Sequence, residues 1–189
     1  MKKLSLTFLL ALICRVGFAQ NVSLLQTDSL KHELSIAKND TNRVLIMANL
    51  VEAYRWSKPD SGILYGQQAL SIAKRIKFLR GEATALICIS VIQRELGNLP
   101  KALEIALKGL QIAQKNHFDQ EEVLGYIRIG NIYLASKNYY KALNYYFQSE
   151  KKLKYFINEF SLTITQMLIA DTYMQMNNLD SAQHYSRLG

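Results

Sequence analysis

The sequence predicts an all-α fold, a right-handed solenoid built from antiparallel helix pairs. The chain has 189 residues but only two prolines and nine glycines, and this scarcity favours long helices over a turn-rich β protein. Similar stretches also recur at an interval of 40 residues. Such a period is typical of two-helix units that bury their apolar faces only by stacking on one another.

Small residues at matching positions define the repeat. One set lies near the start of each second helix, and its members follow one another at intervals of 40 residues. These residues are Gly62, Ala102, Ala142 and Ala182. A second set, in the first helices, keeps the same interval and consists of Ser90, Gly130 and Ala170. Two helices can approach to about 8–10 Å where no bulky side chain intervenes, so we expect tight crossings at these positions.

The repeat divides the chain into three parts. Residues 42–189 form the solenoid, with units at about 42–80, 81–119, 120–159 and 160–189, the last one incomplete. Residues 20–41 form a leading helix, from about Asp28 to Lys38, and a linker. Residues 1–19 have the pattern of a secretory signal peptide.

The signal peptide is predicted from the order of charge, apolar residues and small residues. Lys2 and Lys3 precede an apolar run of eleven residues, Leu4 to Cys14, which is shorter than the roughly 20 residues that span a bilayer. Gly17 and Ala19 follow at the spacing of a cleavage site. We therefore expect an exported chain, periplasmic or associated with the membrane on its periplasmic side. A disordered or membrane-dipping N-terminus is the alternative.

The two cysteines have different predicted roles. Cys14 suggests a lipid anchor, but Ile13 before it is larger than such sites usually tolerate. Once the signal peptide is removed, Cys88 is the remaining cysteine, so no intramolecular disulfide can form. Its apolar surroundings predict a small buried side chain.

Tyrosines are concentrated in the third unit, in the stretch NIYLASKNYYKALNYY. Most fall at helical spacing on an apolar stripe, and we expect these to pack between helices. They are Tyr126, Tyr133, Tyr146 and Tyr155. Three others are better candidates for an exposed aromatic binding platform, namely Tyr139, Tyr140 and Tyr145.

The third unit also resembles the tetratricopeptide repeat (TPR) family. Gly130 and Tyr133 in IGNIY, followed by NYYKAL, are similar to that family's small residue, its aromatic residue one turn later and its alanine at the start of the second helix. The resemblance covers roughly residues 42–189. The usual unit has about 34 residues, and we expect the extra residues here to lengthen the second helix and the connection after it.

The start of the chain has a narrower resemblance. The stretches TDSLKHELSIAKNDTNRV and YRWSKPDSGILYGQQALSIAK look like the exported region of bacterial sensor histidine kinases and related membrane-linked transcription regulators. This resemblance implies the sensory region of a two-component-type signal-transduction protein. A free-standing exported adaptor or scaffold is the alternative.

The TPR resemblance implies a non-catalytic module that binds a protein or peptide in a concave groove lined by first helices. Helical offset from the buried stripe gives the outward-facing candidates. They are Glu52, Arg55, Val91, Arg94, Glu95, Asn131, Leu134, Asp171, Met174 and Gln175. The clamp of lysines, arginines and asparagines that holds a peptide's C-terminal carboxylate in one TPR version is not expected, because only Asn131 fits it.

Basic residues close several second helices, at 73–80, Lys115 and 151–154. Positive charge at these ends is favourable for the helix dipole. The alternative interpretation is a basic edge that faces an acidic partner or an anionic membrane surface.

No catalytic, cofactor or metal motif is found in the sequence, and a small enzyme is the least favoured class. His32, His117 and His184 lie far apart, and none has a second ligand at metal spacing. Glu121 and Glu122 open a first helix, where negative charge suits the dipole. We expect no cofactor, no metal and no nucleic-acid partner.

Overall fold

A computed structural model describes residues 26–155 and 159–188. The predicted signal peptide, residues 1–19, lies outside the described residues. Throughout the described ranges the chain forms helices and turns without a β-strand, so the all-α prediction is confirmed. The helices are α1 (26–36), α2 (Asp40–Tyr54), α3 (Pro59–Arg75), α4 (Leu79–Glu95), α5 (Leu99–Lys115), α6 (Asp119–Ala135), α7 (Tyr139–Leu153), α8 (Glu159–Gln175) and α9 (Leu179–Ser186).

The helices stack as antiparallel pairs, α2/α3, α4/α5, α6/α7 and α8/α9. Each helix from α2 onward packs on the next one in the chain, and in addition α2 contacts α4 and α4 contacts α6. The first helices of the first three units therefore form one continuous layer. The second helices α3, α5 and α7 do not pack on one another in this way, so they lie farther apart and the first-helix side is the concave one.

The connections between helices repeat at half the unit length. Lys77, Gly97, His117, Lys137 and Asn177 all have positive φ, between 55° and 77°, and their numbers differ by multiples of 20. The residue after each donates its amide hydrogen to a carbonyl five residues upstream, for example Phe78 to Ala73 at 2.8 Å and Asn138 to Tyr133 at 2.8 Å. This pattern is the Schellman motif, which ends a helix and reverses the chain within a few residues.

The predicted location of the extra residues is only partly right, because the second helix is long but the connection after it is short. In the second unit, α4 and α5 both contain 17 residues, and the turns after them have the same Schellman form. The added length therefore lies in both helices and leaves the connection short. The turn between α2 and α3 has a different form. Pro59 begins α3, and none of residues 55–58 has positive φ.

The small residues lie at the helix crossings, as the repeat predicts. Gly62, Ala102, Ala142 and Ala182 are all buried. A Cβ on Gly62 would lie 2.4 Å from Cδ1 of Ile92 in α4. One unit later Ala102 packs in one apolar cluster with Ile132, which is the residue equivalent to Ile92.

The tyrosines of the third unit are partly as expected. Tyr126 and Tyr146 are buried, and Tyr133 is half-buried against Tyr145, with 5.6 Å between ring centroids. Tyr155 was expected to pack between helices, but it lies in the turn after α7 and is 82% exposed. That prediction is wrong because α7 ends at Leu153, two residues earlier.

The predicted exposed platform is also only partly right. Tyr140 is 78% exposed. Tyr145, in contrast, is half-buried and packs between Tyr126 and Tyr133, and burial raises the pKa of its hydroxyl. Tyr139 is half-buried. These three residues therefore do not form a common exposed surface.

Candidate functional site

The concave layer formed by α2, α4 and α6 contains most of the residues predicted to bind a partner. Six of them are half-buried at its surface, namely Glu52, Arg55, Arg94, Glu95, Asn131 and Leu134. Three others, on α8, are exposed, namely Asp171, Met174 and Gln175. Leu134 packs against the apolar cluster that includes Leu143 and Ile169, and the role of all these residues in binding stays a prediction.

The assignment of Val91 to the open surface is wrong. Val91 is only 2% exposed. It lies on α4, which has α2 on one side and α6 on the other, so a residue on the flank of this helix is covered. Helical offset alone did not include this second neighbour.

Glu52 joins two arginines at the centre of the concave surface. Arg55, one turn along α2, donates from Nη1 to Glu52 Oε2 at 3.1 Å. Arg128 comes from α6 and donates from Nη2 to Glu52 Oε1 at 2.7 Å. The second contact joins residues 76 positions apart and crosses α4, so it connects the first helices of the first and third units.

Arg128 is a site residue that the sequence analysis missed. The equivalent positions in the other units hold Ala48, Cys88 and Leu168, so an arginine there is the exception in the repeat. This departure from the pattern of the repeat was the signal in the sequence that could have identified Arg128 as a site residue. The Nε atom of Arg128 is buried and has no hydrogen-bond partner. Buried donors are usually paired, so this atom has the capacity to bind a water molecule or a ligand group.

Cys88 lies on α4 next to both Glu52 and Arg128 and is 4% exposed. Burial, and then the negative charge of Glu52, raise the pKa of its thiol to about 12. The thiol therefore stays protonated at neutral pH, and the residue behaves as a small apolar side chain. This agrees with the role that its apolar surroundings predicted.

Two further contacts order the rest of the surface. Arg94 is paired with its neighbour Glu95, both on the last turn of α4. The hydroxyl of Tyr146 donates to Oδ1 of Asn131 at 2.7 Å, which fixes the orientation of that amide. Burial raises the pKa of Tyr146 well above its usual range, so the hydroxyl remains a donor.

Several of the basic helix ends are paired with acidic residues of first helices. Arg75 contacts Asp40 at 2.7 Å. Lys152 contacts both Asp119, at 2.8 Å, and Glu122, at 2.7 Å. This pairing lowers the net charge available on that edge, and the interaction with an anionic membrane surface stays a prediction.

Residues 26–155 and 159–188 contain neither a metal-binding cluster nor a membrane-spanning helix. Among these residues no group of three or more His, Cys, Asp or Glu side chains has an arrangement that could hold a metal ion. Within the same ranges no helix combines the length and apolar character that a membrane span needs.

The described helices define a TPR-like α-solenoid, and solved structures share this fold. A Rap protein, in complex with the competence and sporulation factor, is similar with a TM-score of 0.78 and 17% identity. The match covers 89% of this chain and 48% of the Rap chain. This chain thus spans about half the length of that neighbour.

Two other structures show the same likeness. A signal-transduction ATPase with numerous domains and a tetratricopeptide repeat sensor, from Pyrococcus horikoshii, has a TM-score of 0.67 and 23% identity, over 93% of this chain and 27% of the other. A chain of nearly identical TPR-like repeats from Podosopora anserina has a TM-score of 0.57 and 14% identity, over 92% and 86%. At these identities the likeness establishes the fold. No family model and no curated protein matches the sequence.

Proposed function

We propose that the chain is a non-catalytic module that binds a protein or peptide along the concave surface of its first helices. The observation that carries this proposal is the convergence of Glu52, Arg55 and Arg128 from two different units on that surface. Stacked repeats create an extended curved face, which is the part of a solenoid that partners usually occupy. The Rap neighbour, whose structure contains the competence and sporulation factor, supports a binding function for this fold.

The place of this module is proposed to be the exported side of a membrane, as the sensory region of a signal-transduction protein. The apolar run between Leu4 and Cys14 supports export. The repeat sensor of the Pyrococcus horikoshii ATPase shows this fold next to a signalling domain. A free-standing exported adaptor is the second candidate, and the same N-terminal run supports it equally.

Partner capture with matched variants tests the binding surface. The full chain, an Asn131→Ala/Leu134→Ala variant and a Glu104→Ala/Lys108→Ala variant would each be tagged and used as bait. Glu104 and Lys108 form an exposed ion pair on α5, away from the first-helix layer. We expect a protein held by the wild type and by the α5 variant but lost by the α6 variant. Loss from the α5 variant alone would contradict the proposal.

Export is tested by fusing the chain to a phosphatase that is active only after it leaves the cytoplasm. The intact chain should give an active fusion, and Leu9→Arg/Leu10→Arg should abolish the activity because charge interrupts the apolar run. Activity that does not depend on this run would contradict export through a signal peptide.

A further inference from the structure

The pair formed by Glu52 and Arg128 has an incomplete geometry that points to an incoming group. Glu52 divides its carboxylate between two arginines, with Oε2 on Arg55 and Oε1 on Arg128. Arg128 is thereby bonded through Nη2, while its Nε stays buried and unpaired. A carboxylate that is not shared can bind the Nε and Nη2 of one arginine at the same time, which is the stronger arrangement.

We propose that the Glu52–Arg128 pair is a latch across the concave surface, and that an acidic peptide segment opens it by placing its own carboxylate on Arg128. This rests on the proposed function and names the chemistry of the partner. A carboxylate is the fitting ligand because the group it replaces is a carboxylate. After the exchange, Arg128 gains its missing bond and Glu52 stays paired with Arg55.

The charges at the site are consistent with an anionic ligand. Two arginines face one glutamate, so the cluster of Arg55, Glu52 and Arg128 carries one net positive charge. The side chains of Arg55 and Glu52 are 32% and 27% exposed, and that of Arg128 is 17% exposed. The carboxylate to be replaced is therefore partly exposed to solvent, while the guanidinium of Arg128 is more deeply buried. Electrostatic contacts are stronger in such surroundings than in open water.

Opening the latch releases the Glu52 side chain from its position beside Cys88. The thiol lies beside both Glu52 and Arg128 and is nearly inaccessible while they are joined. We therefore expect the rate at which a neutral reagent alkylates Cys88 to report the state of the latch. The measurement uses the full chain with Cys14→Ser, so that Cys88 is the single thiol.

The first experiment compares Glu52→Gln with a matched control, Glu104→Gln. Iodoacetamide reacts with the thiolate, and removing the Glu52 charge also lowers the pKa of Cys88, so the rates are compared per thiolate, from the dependence of the rate on pH. On that basis Cys88 should react about tenfold faster in Glu52→Gln, because the loss of a partly buried charged hydrogen bond raises the population of the open form. Glu104 makes comparable ion pairs on the exposed face of α5, and its variant should react at the wild-type rate. Equal rates in both variants would overturn the latch.

A charge-exchanged variant separates loss of the latch from loss of structure. Glu52→Arg combined with Arg55→Glu and Arg128→Glu keeps both ion pairs with their polarity reversed, and we expect slow alkylation to return. If this variant is as reactive as Glu52→Gln while its helix content by circular dichroism is that of the wild type, the pairing does not protect the thiol and the inference fails.

The second experiment uses an octaglutamate peptide with blocked ends as the acidic probe. Alkylation of Cys88 should rise with peptide concentration and saturate in the wild type, whereas an octaglutamine peptide should have no effect. Arg128→Gln should remove the response to octaglutamate. A response that persists in Arg128→Gln, or is absent in the wild type, would overturn the acidic ligand. Partner capture through the concave surface would in that case still stand, so the two proposals fail separately.

Discussion

Gly130 on α6 packs directly against the ring of Tyr146 on α7. A Cβ built on Gly130 would lie 2.4 Å from the Tyr146 ring, and Tyr146 is fully buried. We predict that Gly130→Ala lowers the free energy of unfolding by about 1–3 kcal/mol, because the buried ring cannot move aside. Urea denaturation measures this effect.

A second substitution at the same contact provides the control for that prediction. In Gly130→Ala/Tyr146→Leu the smaller side chain makes room for the added methyl group, so the penalty of Gly130→Ala should fall when it is measured against Tyr146→Leu alone. An exposed helix position would instead gain stability from glycine to alanine. A gain for Gly130→Ala in the wild-type background would therefore contradict the packing described for this crossing.

Glu121 is predicted to destabilise the fold at neutral pH. Its side chain is buried, Oε2 has no hydrogen-bond partner, and Arg80 lies 3.7 Å away. Burial raises the pKa of this carboxyl above its ordinary value. A raised pKa means that the folded state holds the proton more tightly, so stability from this group is present below about pH 4.3 and is lost as the pH rises through the folded-state pKa.

Glu121→Gln tests the sign of this effect. The variant should be more stable than the wild type at pH 7, and the difference should shrink as the pH is lowered towards 4. Thermal unfolding at several pH values measures it. A variant that is less stable at pH 7 would show that the contact with Arg80 outweighs the cost of burial.

At the residue scale, the sequence predicts the small and apolar positions well and the polar network poorly. Ala102 and Ala142 are placed by their spacing alone, because a tight crossing tolerates little else. The Glu52–Arg128 contact spans 76 positions and depends on how α2, α4 and α6 are arranged side by side. A single-helix pattern contains no information about this arrangement.

The turns between helices set the 20-residue interval at which one helix follows another. Lys137 adopts φ of 59° without being a glycine, whereas Gly97 occupies the equivalent position one unit earlier with φ of 77°. The left-handed region costs an L-residue about 1–2 kcal/mol. Part of any gain from glycine is lost again to the greater freedom of the unfolded chain.

We predict that Lys137→Gly raises the free energy of unfolding by about 0.5–1 kcal/mol and that Gly97→Ala lowers it by a similar amount. No atom lies within 4 Å of a Cβ placed on Gly97, so the second effect isolates backbone strain from crowding. Chemical denaturation of both variants checks the pair of values. The same sign for both would contradict the equivalence of the two turns.

At the element scale, the number and order of the helices follow from the sequence, but their lengths do not. The repeat of 40 residues gives the unit, and apolar spacing gives two helices within it. The division between helix and turn depends, in five of the turns described, on the left-handed residue that closes the helix. That residue is a lysine or a histidine in three of the five, so composition did not reveal it.

For the whole molecule, stability depends on each unit being covered by the next. Ile87 in α4 is fully buried, whereas the equivalent Met167 in α8 is 59% exposed. The difference arises because Ile87 lies against α5 and α6. Among the described residues, the corresponding side of α8 is open.

We therefore predict that truncation to alanine lowers the free energy of unfolding by different amounts at Ile87 and at Met167. Ile87→Ala should lower the free energy of unfolding by about 2–5 kcal/mol, because it leaves a cavity between two units. Met167→Ala should cost less than about 1 kcal/mol. Equal costs, measured by urea denaturation, would contradict the stacked arrangement.

The sequence predicts the solenoid and its concave side, but it does not predict which side chains are buried and which are exposed. Val91 was assigned to the groove because its helix was considered alone, and its burial follows from two neighbouring first helices. Tyr155 was assigned to the core by its helical spacing, but α7 ends two residues earlier, at Leu153. Both errors concern the boundary of an element or its neighbours, and in both the repeat itself was identified correctly.

The most direct measurement of the central claim, that partners bind on the first-helix side, is photocrosslinking in the living cell. A photoreactive amino acid would replace Leu134 on the concave side of α6 or, separately, Leu107, which is 41% exposed on α5. If partners bind on the first-helix side, we expect a discrete protein adduct from position 134 and none from position 107. An adduct from position 107 alone would contradict it.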